Sequence, residues 1–220
     1  MKKLIEQSIK NSPEEYDKIF LGRSKKEPHW QDIRRWEELI KYFEGGYIVD
    51  IGCLDSKIWD MIHGKFWKKQ NYLYLGTDVA KEAMKEMSKN YPYANSKGEP
   101  FCSFLVDDIY NSRIRDGIVD YVVMGEVLEH LEKPIDAVIQ AFRILKPDGV
   151  LAISVPLEES KEPGAVDKDR HLWSFAKQDI EEIVRLHCSK VKFKVLRSKW
   201  WPKYQYCWPQ LICFAWKKKD

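Results

Sequence analysis

No Cys-x-x-Cys pair occurs in the sequence, and its five cysteines (Cys53, Cys102, Cys188, Cys207 and Cys213) are scattered and odd in number. Such usage argues against a disulfide framework and a structural zinc site, and suits a reducing compartment. An apolar run of about 18 residues, the length a membrane-spanning helix needs, is also missing. The stretch from Met1 to Ser8 turns polar too early for a secretory signal, so a cytoplasmic setting without a membrane span is expected. Charge of either sign is not in excess: 37 Lys and Arg against 34 Asp and Glu leave +3. That permits anionic partners without indicating a nucleic-acid binder, which calls for a clustered basic face. Internal repeats and low-complexity blocks are absent. A hydrophobic fraction of 44% beside 32% charged residues describes a globular chain.

What is present is an alternation of strand-like and helix-like segments. Residues 1–28, Lys- and Glu-rich and broken by Pro13 and Pro28, read as an N-terminal extension holding a short helix; 29–220 read as one domain. From Trp30 the apolar spacing is helical, through Ile33, Trp36, Ile40 and Phe43, until Gly45 and Gly46 end the helix. Strands are expected at 47–51, 72–78, 101–106, 120–124 and 150–155, with helices at 56–66, 80–89 and 134–145 between them. Ile135, Val138, Ile139, Phe142 and Leu145 are the expected buried face of the last of these. Lys146-Pro-Asp-Gly149 reads as a turn with glycine at the positive-φ position. After a polar loop at 156–170, a helix at 174–187 with Phe175, Ile180, Ile183, Val184 and Leu186 in the core precedes strands at 191–196 and 211–216. The pattern predicts an α/β fold, a Rossmann-like doubly wound seven-stranded sheet, mostly parallel with an antiparallel C-terminal hairpin.

In such a sheet ligands bind past the carboxyl ends of the strands. Three successive strands end in acids there: Asp50, Asp78, and the pair Asp107 and Asp108. Carboxylates accept hydrogen bonds from a ribose diol and an exocyclic amine, so the rim suits a nucleoside, although any one such acid could simply cap a helix. A dinucleotide would require Gly-x-Gly-x-x-Gly, but after Gly52 the chain continues Cys-Leu-Asp-Ser-Lys, and Asp55 would repel a pyrophosphate. A nicotinamide-dependent oxidoreductase is disfavoured on that ground. A nucleoside carrying a cationic centre and no phosphate fits better, and S-adenosylmethionine has those features.

The segments Val49 to Cys53, Leu75 to Asp78, Phe104 to Asp108, Val119 to Leu131, Phe142 to Gly149 and Leu151 to Pro156, in this order and spacing, resemble a class I S-adenosylmethionine-dependent methyltransferase over about residues 30–190. The nearest resemblance is to the broad group with Glu-His-Leu after the fourth strand. It implies that Gly52 and Cys53 lie against the methionine part, Asp78 on the ribose hydroxyls and Val79 on the adenine face. Asp108 would take the adenine amine and Gly125 would line the sulfonium; Asp50, Leu54 and Ile109 complete the implied cofactor-binding set. The sequence departs from the family's Gly-Cys-Gly-x-Gly at Leu54 and Ser56, which stand where glycines permit close backbone approach. Entry of a nucleoside therefore turns on Leu54.

On the acceptor side, Glu126, Glu129, His130 and His171 leave the same rim, with His130 and His171 the candidate catalytic residues. Carboxylate and imidazole together suit a divalent metal ion acting as a Lewis acid. Glu-x-x-Glu-His with a distant His is similar to the metal-binding pattern of methyltransferases that act on the 2′-hydroxyl of small-RNA 3′ ends, and of ubiquinone-pathway O-methyltransferases. Glu-His-Leu also occurs in relatives without metal, so His130 has three open roles: ligand, general base, or packing residue. Met124-Gly-Glu in place of Asn-Pro-Pro-Tyr argues against adenine-N6 methylation. The reading is an O-methyltransferase for a small-molecule acceptor; the alternatives are a metal-dependent RNA ribose methyltransferase and a non-catalytic binding module. Cys53 reads as a small buried residue, Trp30 and Trp36 as core, and Arg34 and Arg35 as solvated. Trp200, Trp201, Tyr204, Tyr206 and Trp208 would stack a sugar or base, or form a homodimer contact.

Overall fold

A computed structural model describes residues 1–3, 11–22, 30–55, 57–66, 72–91, 102–157, 171–197 and 209–219. The aromatic run at 200–208, Ser56, Cys207 and most of the loops expected at 91–100 and 156–170 lie outside the described residues. The strands are β1 (Lys2–Lys3), β2 (Gly46–Ile51), β3 (Tyr72–Asp78), β4 (Cys102–Val106), β5 (Val119–Gly125), β6 (Leu145–Pro156), β7 (Trp173–Ser174), β8 (Cys188–Leu196) and β9 (Gln210–Lys217). The helices are α1 (Pro13–Gly22), α2 (Trp30–Leu39), α3 (Lys57–Phe66), α4 (Lys81–Asn90), α5 (Pro134–Ile144) and α6 (Lys177–Arg185).

Seven strands form one sheet in the order β4-β3-β2-β5-β6-β9-β8. The first five are parallel, and β9 runs antiparallel to both β6 and β8, as the missing helix between the last two strands predicts. Strand order reverses between β2 and β5, the crevice where an open sheet takes its ligand. A short antiparallel pair, β1 with β7, lies apart from this sheet.

Side chains alternate between the two faces with the strand period of two. Val49, Val122, Met124, Leu151 and Ile153 join the core under α5 and α6, whereas Ile48, Tyr121, Val123 and Ala152 join the core under α2 and α3. Both faces are thus covered, which is why the strands read as continuous apolar runs. A smaller cluster of Cys53, Ala80, Ala83, Met84 and Met87 fastens α4. No helix among the described residues is long and apolar enough to cross a membrane.

Three expectations need correction. Gly149 does not hold the positive φ of its turn; Asp148 does, at 62°. Glycine is required there by space instead, because a Cβ would sit 2.9 Å from the Lys146 carbonyl oxygen. Ile135 and Ile139 are exposed: the buried arc of α5 is Pro134, Ala137, Val138, Ala141, Phe142 and Ile144, and neither Ile135 nor Ile139 falls in it. Leu186 is 76% exposed because α6 has ended at Arg185 and the chain is turning into β8.

Candidate functional site

The carboxyl ends of β2, β3, β4 and β5 open into a cavity of about 520 Å³, lined among others by Asp50, Gly52, Asp78, Asp107, Gly125 and His130. That volume lies within the range of roughly 300–1,000 Å³ typical of small-ligand sites. Gly52 turns the chain with φ of 71°, and the amides of Gly52 and Cys53 donate to the Thr77 carbonyl at 2.7 and 3.1 Å. Leu54 takes φ of 39°, so this leucine holds the left-handed conformation that glycine adopts without strain. Its side chain packs onto the α4 cluster, so Leu54 forms part of the cavity wall.

Asp78 organises this turn. One carboxylate oxygen accepts from the Leu54 amide at 3.0 Å and the other from the Ala80 amide at 2.9 Å. Burial raises its pKa, and the backbone N–H donors oppose that shift. The Val79 amide is a third backbone donor, so of about four lone-pair sites the carboxylate keeps one for a ligand donor. Asp50 is 4% exposed and accepts from the Tyr74 hydroxyl at 2.8 Å. Burial lifts its pKa from 3.8 to about 7, the Tyr74 bond pulls it down, and the Asp78 charge pushes it up. Val79, Cys53 and Ile109 also line the cavity. Of the two adjacent acids after β4, Asp107 faces the cavity. Asp108 instead caps the 3-10 turn Ile109–Asn111, accepting from the Tyr110 amide, and borders a separate groove with Lys133 and Asp136.

On the far side of Gly125 the chain turns through Glu126, another non-glycine residue with positive φ, at 56°. The Glu126 amide donates to the Ser154 carbonyl at 3.0 Å, and the Ser154 hydroxyl donates to Oε1 at 3.0 Å. Arg35 Nη1 lies 3.5 Å from Oε2, and Arg35 Nη2 lies 3.2 Å from Asp32. Burial raises the Glu126 pKa, opposed chiefly by the Arg35 charge. Glu129, His130 and His171 converge separately, with one ligand atom of each within 4.8 Å of the others. The Leu172 amide donates to the Glu129 carbonyl at 2.6 Å and the Trp173 indole to the Leu131 carbonyl at 2.7 Å, which hold the His171 segment against the turn Leu128–His130. Of the four residues grouped by sequence, Glu126 bonds to Ser154 and pairs with Arg35, while the His171 charge still reaches it and helps to lower its pKa.

Residues 49–153, from β2 into β6, match the family model described as a methyltransferase domain. These residues form a methyltransferase domain of the S-adenosylmethionine-dependent kind. No curated protein matches the sequence. Among solved structures, an S-adenosylmethionine-dependent methyltransferase from Methanosarcina mazei shares 18% identity at a TM-score of 0.60, covering 83% of this chain and 98% of that one. A chain of the complex between the Haloferax volcanii Trm112 methyltransferase activator and a methyltransferase shares 16% at 0.69, covering 93% and 98%. Haemonchus contortus phosphoethanolamine N-methyltransferase 2, bound to phosphomonomethylethanolamine and S-adenosylhomocysteine, shares 14% at 0.67, covering 96% and 58%. These likenesses are of fold.

The methyltransferase's cofactor is S-adenosylmethionine, and the residues present fit it: buried carboxylates line a cleft large enough for a small ligand. Sequence reading missed Arg35, which is held by acids on both sides, and Tyr16 of α1, which lines the cavity from the N-terminal segment. It named Asp107 and Asp108 together as rim acids; Asp is a favoured N-cap residue, and the 3-10 turn that Asp108 caps is what separates the pair. The turn at Gly52 gives a first test. A Cβ there would lie 2.6 Å from a Val127 methyl, and φ is positive. Left-handed backbone costs a non-glycine residue about 1–2 kcal/mol before any clash. Gly52→Ala is expected to lower the melting temperature by roughly 2–8 °C and to weaken S-adenosylhomocysteine binding. Gly64→Ala, inside α3 where a Cβ meets nothing within 4 Å, is expected to leave binding unchanged and to raise the melting temperature by about 1–4 °C, since glycine within a helix costs about 0.5–1 kcal/mol relative to alanine.

Proposed function

We propose that this methyltransferase moves the methyl group of S-adenosylmethionine to a hydroxyl oxygen of a small-molecule acceptor. The observation that carries the reading is that Asp50, Asp78 and Asp107 line one cavity with Gly125 and His130. In this reading Asp78 accepts a ribose hydroxyl and Asp107, in the place first assigned to Asp108, accepts the adenine amine. Val79 and Ile109 contact the adenine faces, and Asp50, Gly52, Cys53 and Leu54 surround the methionine part, with Gly125 beside the sulfonium. The cofactor supplies a methyl group on a positively charged sulfur. The protein's part is to align an oxygen with it, and such positioning is worth up to about 7–11 kcal/mol.

His130, whose ring lines the cavity, is the proposed general base, and the His171 ring at 4.9 Å holds it in place. Removing a general base costs about 10²–10⁴ in rate. His130→Ala is therefore expected to lower kcat by at least a hundredfold with S-adenosylhomocysteine affinity unchanged within threefold. The check is a methyl-transfer screen against hydroxyl-bearing small molecules, with calorimetry for binding.

A second reading is favoured by one observation, the convergence of Glu129, His130 and His171. One carboxylate and two imidazoles fit a divalent ion, which would polarise an acceptor hydroxyl. His130 would then be a ligand and not a base, and a terminal RNA ribose becomes the favoured acceptor. Activity that survives EDTA, on small molecules, supports the first reading. Activity abolished by EDTA, with methyl found on a 3′-terminal ribose, replaces it with the second.

A further inference from the structure

The helix α1 belongs to a segment that reads as an appendage, yet three separate ties bind it to the rim of the cofactor site. Ala80, the N-cap residue of α4, is fully buried and has no side chain to cap the helix; Asp17 of α1 accepts from the Glu82 amide at 2.8 Å in its stead. A carboxylate reaching the second amide of a helix is the usual service of the N-cap side chain itself. Tyr16 and Phe20 pack onto the cluster of Cys53, Ala80, Ala83, Met84 and Met87, against which Leu54 also packs. Just before α1, Asn11 donates to the His130 carbonyl at 3.0 Å, and the Tyr16 ring stands edge-on to the His130 ring at 6.4 Å. Residues 11–20 therefore run from the acceptor side of the cavity to its nucleoside side, and Tyr16 lines the space between.

Leu54 gains a purpose from this. Its left-handed backbone is the conformation of a glycine, but a glycine would give α1 no side chain to share the cluster with. We propose that Leu54, Tyr16 and Asp17 are positioning residues that latch α1 over the methyltransferase site as its outer wall, so that release of the cofactor requires the latch to open. The proposal rests on the cavity being the cofactor site.

The test measures S-adenosylhomocysteine dissociation by stopped flow and amide hydrogen exchange of residues 11–22, in wild type and in Leu54→Gly, Tyr16→Ala and Asp17→Ala. A latch predicts that each variant speeds dissociation about tenfold and raises exchange in α1 without ligand. Leu54→Gly combined with Tyr16→Ala should do little more than either alone, because residues serving one contact are not additive. If Leu54→Gly instead binds S-adenosylhomocysteine more tightly, with α1 exchange unchanged, then Leu54 only narrows the cavity and the latch is overturned. A double variant showing the full product of the single effects overturns it as well. Failure of the wild type to bind S-adenosylhomocysteine would strike the cofactor site itself, and the ligand-free exchange data would still report on the latch.

Discussion

Replacing Asp78 by alanine is expected to weaken S-adenosylhomocysteine binding at least a hundredfold. Two losses combine. The carboxylate accepts from the Leu54 and Ala80 amides, so its removal frees the turn that shapes the methionine end of the cavity. It is also the proposed partner of a ribose hydroxyl, and a hydrogen bond to a charged group contributes about 1.5–3 kcal/mol. Even one such contact with the loosened turn reaches about 3 kcal/mol, which is the hundredfold. Asp78→Asn keeps one acceptor oxygen and is expected to lose about tenfold on the same scale. Calorimetric titration checks both, and an alanine variant that binds within threefold of wild type removes Asp78 from the site.

The second large effect is on pH. Asp50 is held neutral up to about pH 7 by burial, far above its ordinary 3.8. A carboxyl raised in the folded state contributes its full stability below pH 3.8, and that stability is lost as pH rises through about 7. At about 1.36 kcal/mol per unit, the ligand-free protein should lose roughly 3–5 kcal/mol from this group between pH 4 and 8. The cofactor reverses the sign locally, since its positive charge favours the ionised form. Affinity for S-adenosylmethionine should therefore climb with pH by up to tenfold per unit below 7 and level off above it, with a proton released on binding. S-adenosylhomocysteine, which lacks the sulfonium charge, should show a shallower rise. Titrations from pH 5.5 to 8.5 in buffers of different ionisation enthalpy measure both, and Asp50→Asn should flatten the curve. An unchanged slope in that variant assigns the proton elsewhere.

The sheet was legible because four of the five parallel strands are apolar runs closed by an acid or glycine and the fifth, β6, opens just after Gly149, and that grammar is local. The identities of Asp50, Asp78 and Gly52 as rim residues follow from it directly. What local grammar does not carry is direction and distance. Asp107 and Asp108 are adjacent, and which one faces the cavity depends on a 3-10 turn that Asp108 itself caps. Glu126 and Glu129 look like partners at a spacing of three, yet the positive φ at Glu126 swings its side chain toward Ser154 and Arg35. Arg35 read as a solvated charge because its acids, Asp32 and Glu126, lie one turn away and across the cavity. Asp17 was invisible for a similar reason: the helix it caps begins more than sixty residues later. Ile135 and Ile139 misled through a generous apolar face, since the helical arc that meets the sheet is narrower than the apolar stripe.

Direct titration of the purified wild-type protein with S-adenosylmethionine and S-adenosylhomocysteine decides most immediately whether the carboxylate-lined cavity is a cofactor site. The expected result is one site per chain with a dissociation constant on the order of micromolar, and no heat from NAD. Absence of binding by either compound at millimolar concentration would mean that Leu54 and the altered glycine turn close the cavity to the nucleoside, and would contradict the assignment of this rim to S-adenosylmethionine.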